Sequence, residues 1–195
     1  MSSIRMLMPF ELHKYRDHLL CLGADDRRLR FGAFLDDERI QAFVDGIDLR
    51  RTRVLAQMGT DLEVIAAVHI SILRGSAVEL AFTVDAAYRR AGIGTALMTR
   101  AILWSRNRRF TRAFVNYLAE NTGMRRLAGR AGMQVVNEAG EMEAFITLPA
   151  ASLLSYAAEA LAESAGFVDF AAKAGVVIQE CLDAPVPRAL PARRA

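Results

Sequence analysis

Lysine is nearly absent from this chain of 195 residues: Lys14 and Lys173 are the only two, and arginine supplies the rest of its 25 basic side chains. Against 22 acidic residues these leave a net charge of only +3. No long basic run occurs before the extreme C-terminus, so a pI near 9.2 suits small anionic ligands and argues against a nucleic-acid partner. Cysteine is as scarce. Cys21 and Cys181 stand far apart, which argues against a disulfide framework and predicts reduced thiols in a cytoplasmic protein. No apolar run approaches the ~18 residues of a bilayer span, and the first residues lack the pattern of a signal peptide, so no membrane partner is expected. His13 and His18 are five apart and His69 is isolated. Neither arrangement has the spacing of a metal pair, and no metal is expected.

What is present is 53% hydrophobic and 24% charged, enough to bury the core of one domain with an appended element. Apolar residues at Phe10, Tyr15, Leu19 and Leu22 predict a first helix. Asp25 or Asp26 is expected to cap a second helix reaching about Phe34. Asp36 or Asp37 should cap a third, with Ile40, Phe43, Val44 and Ile47 on one face. Short strands are predicted over residues 4–8 and 53–58, a longer one over 62–73, and a central one over 77–84, with turns at Gly59 and Gly75. A helix over 95–106, a strand over 113–117, a helix over 121–132 and a hairpin around Glu138-Ala139-Gly140 follow. The fold class is therefore α/β (α+β): a mixed, mostly antiparallel sheet flanked by helices. Residues 1–149 form the predicted domain. Residues 150–183 form a C-terminal, helical extension with a first helix ending at Gly166, and Val176–Ile178 reads equally as helix or strand. Residues 184–195, with three prolines, are expected to be a disordered tail. Leu153, Leu161, Phe167 and Phe170 in the extension are too many to leave solvated. They are expected to pack on the domain or on a second copy, as in a homodimer.

The central feature is Tyr88-Arg89-Arg90-Ala91-Gly92-Ile93-Gly94, between the strand over 77–84 and the helix beginning near Thr95. Glycines let backbone N–H groups approach an anion closely, and the positive end of the helix dipole points at the same spot. Arg89 and Arg90 can add charge-assisted bonds to a phosphate. A Walker-type loop is argued against by the missing Gly-Lys-Ser/Thr, and a Rossmann loop by the missing third glycine. The alternative is an ordinary strand–loop–helix turn with solvated arginines.

Arg89-Arg90-Ala91-Gly92-Ile93-Gly94, the strand Glu79 to Val84 before it, the helix after it, and Asn121 followed by Gly132-Met133 together resemble the GNAT superfamily of acyl-CoA-dependent N-acetyltransferases. Leu29-Arg30-Phe31, residues 37–48, and Asn121 with Met124 look most like the GNAT domain of bacterial protein lysine acetyltransferases. The resemblance implies a GNAT fold and transfer of an acetyl group from acetyl-CoA to a primary amine, through a ternary complex without a covalent intermediate. A protein lysine is the preferred acceptor and a small-molecule amine its nearest rival; a non-catalytic acyl-CoA-binding regulatory module is the alternative from another class. It also implies that the amides of Arg89, Arg90, Ala91, Gly92, Ile93, Gly94 and Thr95 hold the pyrophosphate, and that the backbone of Phe82, Thr83 and Val84 pairs with the pantetheine arm. Asn121 either bonds that arm or caps its helix.

Glu79 is the residue singled out for proton chemistry. An unperturbed lysine ammonium, with a pKa of ~10.4, is rarely neutral at pH 7, and a carboxylate can assist its deprotonation. The resemblance makes Glu79 the general base; the alternative is a glutamate on a half-exposed strand. Many family members carry a tyrosine, acting as general acid, where this chain has Ala128. Tyr117 is a candidate substitute or a packing residue, and a thiol of pKa ~8.5 leaves tolerably without an acid.

Overall fold

The computed structural model describes residues 4–138 and 141–183. Its elements are β1 (Ile4–Met6), α1 (Leu12–Leu20), α2 (Ala24–Phe31), α3 (Asp37–Asp45), β2 (Thr52–Met58), β3 (Val64–Ile72), β4 (Ala77–Val84), α4 (Ile93–Asn107), β5 (Arg112–Leu118), α5 (Thr122–Arg130), β6 (Gln134–Glu138), β7 (Glu141–Thr147) and α6 (Leu153–Asp183). The sheet has seven strands in the order β1-β2-β3-β4-β5-β7-β6. β4 is its centre, as its alternation of Val78, Leu80, Phe82 and Val84 with other residues predicts. All pairings are antiparallel except β4–β5, because α4 carries the chain back across the sheet.

The two faces of the sheet bury separate apolar clusters. Leu97, Met98, Ala101 and Trp104 of α4 and Met124 and Ala128 of α5 pack on Val68, Ile70, Val78, Leu80, Val115 and Ala144. On the other face Tyr15 and Leu19 of α1 and Ile40 and Val44 of α3 pack on Val54, Ala56 and Ala67. α1 and α3 cover β2 and β3, while on the same face Phe114 and Glu143 are half-buried and Asn116 is exposed.

Three expectations change. Gly23, not Asp25 or Asp26, caps α2; those two acids lie in its first turn, where they complement the dipole. The same helix stops before Gly32, at φ +74°, and not at Phe34, because glycine enters the left-handed region at little cost. Phe10 is exposed and the inward stripe begins at Tyr15. Asp36 caps α3 as expected, accepting from the Arg39 amide at 2.8 Å.

The largest departure is α6, a single helix of 31 residues that passes through Gly166 and includes Val176–Ile178. Gly166 is not a terminator. A Cβ there would lie 3.2 Å from both the Arg5 Cβ and the Ile4 carbonyl oxygen, so the glycine lets the helix lie against β1 and cover the open sheet edge. Gly166→Val is expected to destabilise the fold by roughly 1–3 kcal/mol through this contact. A thermal melt of the variant checks it, and an unchanged Tm would mean that the helix shifts freely on β1. Leu153, Leu161 and Phe167 are exposed on this chain, and only Phe170 of the four named apolar residues packs inward. Ala139, Gly140 and the 184–195 tail lie outside the described residues.

Candidate functional site

The parallel pairing of β4 and β5 lasts only three residues: Ala77 with Arg112, Val78 with Ala113, and Glu79 with Phe114. Beyond Glu79 the strands diverge. No β4–β5 ladder pairs Leu80–Val84 with residues 115–118, so a notch opens in the middle of the sheet with backbone hydrogen-bonding groups along its walls. Glu79 stands at its vertex and accepts a hydrogen bond at 2.9 Å from Asn116 Nδ2, across the notch. Alternation along the strands puts Glu79, Phe114 and Asn116 on the face that also carries α1 and α3. In-register pairing adds Phe145 and Glu143 to that face. The Phe114 and Phe145 ring centroids are 6.1 Å apart.

The other end of β4 leads through a short 3-10 turn, Ala86–Tyr88, into the glycine loop. Arg90 has φ +63° and Gly92 φ +81°. Gly92 is the N-cap of α4 and offers no side chain to its first-turn amides. Left-handed residues interspersed in a loop, followed by an uncapped helix N-terminus, turn N–H groups toward one concavity, which is an anion-binding arrangement. A Cβ on Gly92 would meet nothing within 4 Å, so its φ, and not crowding, requires glycine. On Gly94 a Cβ would make only ordinary contact, at 3.6 Å, with Leu127. Ile93 is buried beneath the loop; Ala91 and Thr95 are exposed.

Arg89 is already engaged. Its Nη2 pairs with Asp26 at 2.6 Å and its Nε donates to the Val84 carbonyl at 3.1 Å. Arg90 forms no ion pair or side-chain hydrogen bond among the described residues and is exposed, so it is the free cation of the pair. Arg28 pairs with Glu120, just past β5. α2 is thereby pinned to both rims of the notch, through Asp26 beyond β4 and Arg28 beyond β5.

Thr83 is buried, and its Oγ1 lies 2.9 Å from His18 Nε2, within hydrogen-bond distance. Burial pushes the His18 pKa down to about 4, against a smaller opposing effect from Asp85. Phe82 and Val84 pack partly buried against the α4 cluster. Asn121 accepts from the Met124 amide at 2.9 Å and caps α5. Tyr117 lies in the α4 cluster, and its hydroxyl is buried without a partner among the described residues. Ala128 belongs to the same cluster. Glu79 and the loop thus lie at opposite ends of one strand, with the notch between them, and Asn121 opens the helix after β5. Sequence reading missed His18, Asp26, Arg28 and Asn116. Each acts through a partner remote in sequence, and only alternation along β5 hinted that Asn116 shares a face with Phe114.

Splayed central strands, with an uncapped glycine loop at the end of one of them, define an acyl-CoA-binding transferase fold. Residues 24–133 match the acetyltransferase (GNAT) family, and the chain belongs to that family. Among solved structures it is similar to the GNAT domain of PAT from S. lividans, at 20% identity over 74% of this chain and 89% of that one, with a TM-score of 0.64. It is also similar to spermidine N-acetyltransferase from Vibrio cholerae in complex with CoA and spermine: 12% identity, 75% and 95% covered, TM-score 0.60. A ribosomal-protein-alanine N-acetyltransferase from Escherichia coli gives 17% identity, 78% and 97% covered, and a TM-score of 0.56. No curated protein matches the chain in sequence. Family membership makes the chain a GNAT acetyltransferase, and a similar solved structure from Salmonella typhimurium, at 17% identity, holds its cofactor acetyl-CoA. No group of three or more potential metal ligands is found among the described residues. No helix among them is long and apolar enough to cross a membrane.

Proposed function

We propose that the protein transfers the acetyl group of acetyl-CoA to a primary amine, by preference the side chain of a protein lysine, with Glu79 as general base. The observation that carries this is the position of Glu79 at the vertex of the notch, with Asn116 holding one of its oxygens. Acetyl-CoA supplies an activated acyl thioester. The amides from Arg90 to Thr95 and the side chain of Arg90 hold its phosphates; the Arg89 amide is taken by the Ala86 carbonyl. The notch-facing backbone of Phe82 and Val84 accepts the pantetheine arm as an added strand, while Thr83 between them faces its β3 partner Ala67. His18 fixes Thr83 from below, and Asn121 positions the start of α5 on the far side. Glu79 takes the proton of the incoming ammonium, and the freed amine attacks the thioester carbonyl. The tetrahedral adduct collapses with cleavage of the C–S bond, releasing the amide, and CoA as a thiolate that takes up a proton.

The lysine preference rests on the accessible face beside Glu79. Phe114 and Phe145 offer an apolar track for an aliphatic stem, and Glu79 with Glu143 offers carboxylates to an ammonium. Both aromatic rings are half-buried and Asn116 is exposed, which suits a side chain projecting from a protein surface. Thiol release from acetyl-CoA across lysine peptides, amino-terminal alanine peptides and spermidine tests this. The highest kcat/KM is expected with lysine peptides; a preference for spermidine would assign the site to small amines. We place the reaction in the cytoplasm, in keeping with the free, exposed thiol of Cys21.

A second expectation concerns the loop. Gly92→Val cannot hold φ +81° without strain, so the amides around it must turn away. Acetyl-CoA should bind at least about tenfold more weakly, a loss of about 1.4 kcal/mol, with the fold retained. Calorimetric titration checks it; equal affinities would reduce the loop to a simple turn.

A further inference from the structure

α6 is built inside out. Beside Phe170 and Gly166, the side turned to the domain carries polar groups: Ser155 and Glu159 are buried there. Asn107 Nδ2 donates to Glu159 at 2.7 Å and to the Ser155 carbonyl at 2.9 Å, and Arg108 pairs with Glu159 at 2.6 Å. Lower down, Lys173 donates to the Met58 carbonyl and pairs with Asp169, both at 2.8 Å. The side turned to solvent is apolar. Leu153, Leu154, Leu161, Phe167, Val168 and Leu182 are between 65% and 89% exposed. A chain at ease as a monomer would place these faces the other way round.

The exposed residues have the spacing of a helix seam. Leu154, Leu161, Val168 and Leu182 fall at intervals of seven or fourteen, Ala157 and Ala171 follow three places after Leu154 and Val168, and Ile178 stands four places before Leu182. A sevenfold repeat along a helix of 31 residues, about 46 Å, interrupted only at Ser164 and Gly175, matches another helix with the same repeat. We infer that this face is the interface between two copies of the chain, which meet along α6.

Area and charge both support a second copy as the occupant. At about 60–120 Å² of apolar burial per large side chain, the exposed face offers on the order of 500 Å² per copy. A stable interface needs about 800 Å² per partner, a little over half of it apolar. A lipid surface is disfavoured by charge. α6 contains Glu159, Glu163, Asp169, Glu180 and Asp183 against the single cation Lys173, and Lys173 is engaged with Met58 and Asp169. Interfacial membrane helices carry the opposite balance. Because the pairing is between identical patches, it closes as a two-fold dimer and does not propagate.

Sedimentation velocity on the full chain from about 1 to 100 μM tests this. The expected species is a dimer of two 21.5 kDa chains. L161E combined with V168E places charges only on the outer face. It should give a monomer with an unchanged far-UV spectrum and unchanged acetyl transfer. A parent that stays monomeric at 100 μM overturns the inference, whatever the variant does. A folded double variant that remains dimeric moves the interface elsewhere and overturns it too. So does a monomeric parent that sediments with vesicles of phosphatidylcholine and phosphatidylglycerol. If the variant fails to fold, the mass of the parent across the concentration range still decides.

Discussion

Glu79→Gln should lower kcat/KM by roughly 10²–10⁴ while leaving acetyl-CoA affinity nearly unchanged. Glutamine keeps the shape of the side chain and an oxygen to accept from Asn116 Nδ2, so the notch keeps its form and only the proton acceptor is lost. The lost rate should return in part at high pH, where the amine deprotonates unaided. The alkaline limb of the parent carries a second reading. Tyr117 packs in the α4 cluster with its hydroxyl buried, so Tyr117→Phe should leave the profile unaltered; a changed alkaline limb in that variant would make Tyr117 the acid that protonates the departing thiolate. A pH–rate profile with one lysine peptide measures both. Full activity of the glutamine variant at neutral pH would remove Glu79 from the chemistry and leave acetyl-CoA binding standing alone.

Much of this site could be read along one strand and its continuation. Glu79, the apolar alternation after it, the glycine loop and the helix beyond are contiguous in sequence, so local rules located them. The vertex of the notch was not legible, because it depends on where β4 and β5 part, and that is set by how α4 returns the chain. The same holds for Asp26. It reads as a helix cap, and only the packing of α2 across the notch brings it to Arg89. That ion pair also revises the loop: of its two adjacent arginines, Arg90 remains available to a phosphate. In α6 the error was one of local inference. A glycine between apolar stretches reads as a stop, yet Gly166 is there because β1 passes beneath it. The apolar count of the extension reads as a surface to be covered, but count alone does not say which residues turn inward: Phe170 packs on the domain, while Leu153, Leu161 and Phe167 stay exposed on this chain.

Acidification should destabilise this protein progressively from about pH 6.5 downward. His18 and His69 are both buried, and burial lowers each pKa from the ordinary 6.5 to about 4, aided at His69 by the nearby Arg30 charge and opposed at His18 by Asp85. Below pH ~6.5 the unfolded chain binds a proton on each imidazole, whereas the folded chain does so only near pH 4. The unfolded state therefore holds more protons across this window, and stability falls as pH falls. It is complete above about 6.5 and lost progressively toward 4. Each histidine accounts for roughly 3 kcal/mol, together a large share of the 5–15 kcal/mol of a typical domain. Glu11 does not share the window. Burial raises its pKa, but hydrogen bonds from Arg5 and the Met8 amide together with nearby positive charge lower it further, so its contribution is lost only as pH falls below 4.5. Both histidines lie on the face carrying α1 and α3: His18 on α1 against Thr83, His69 on β3 between the rings of Tyr15 and Phe43. Urea melts between pH 8 and 4.5 should show the midpoint falling steeply below pH 6.5, and more gently in His69→Gln, which removes one of the two protons taken up. A midpoint that stays level from pH 7 to 4.5 would mean that the histidines are hydrated in solution and that the α1–α3 layer is looser than its packing implies.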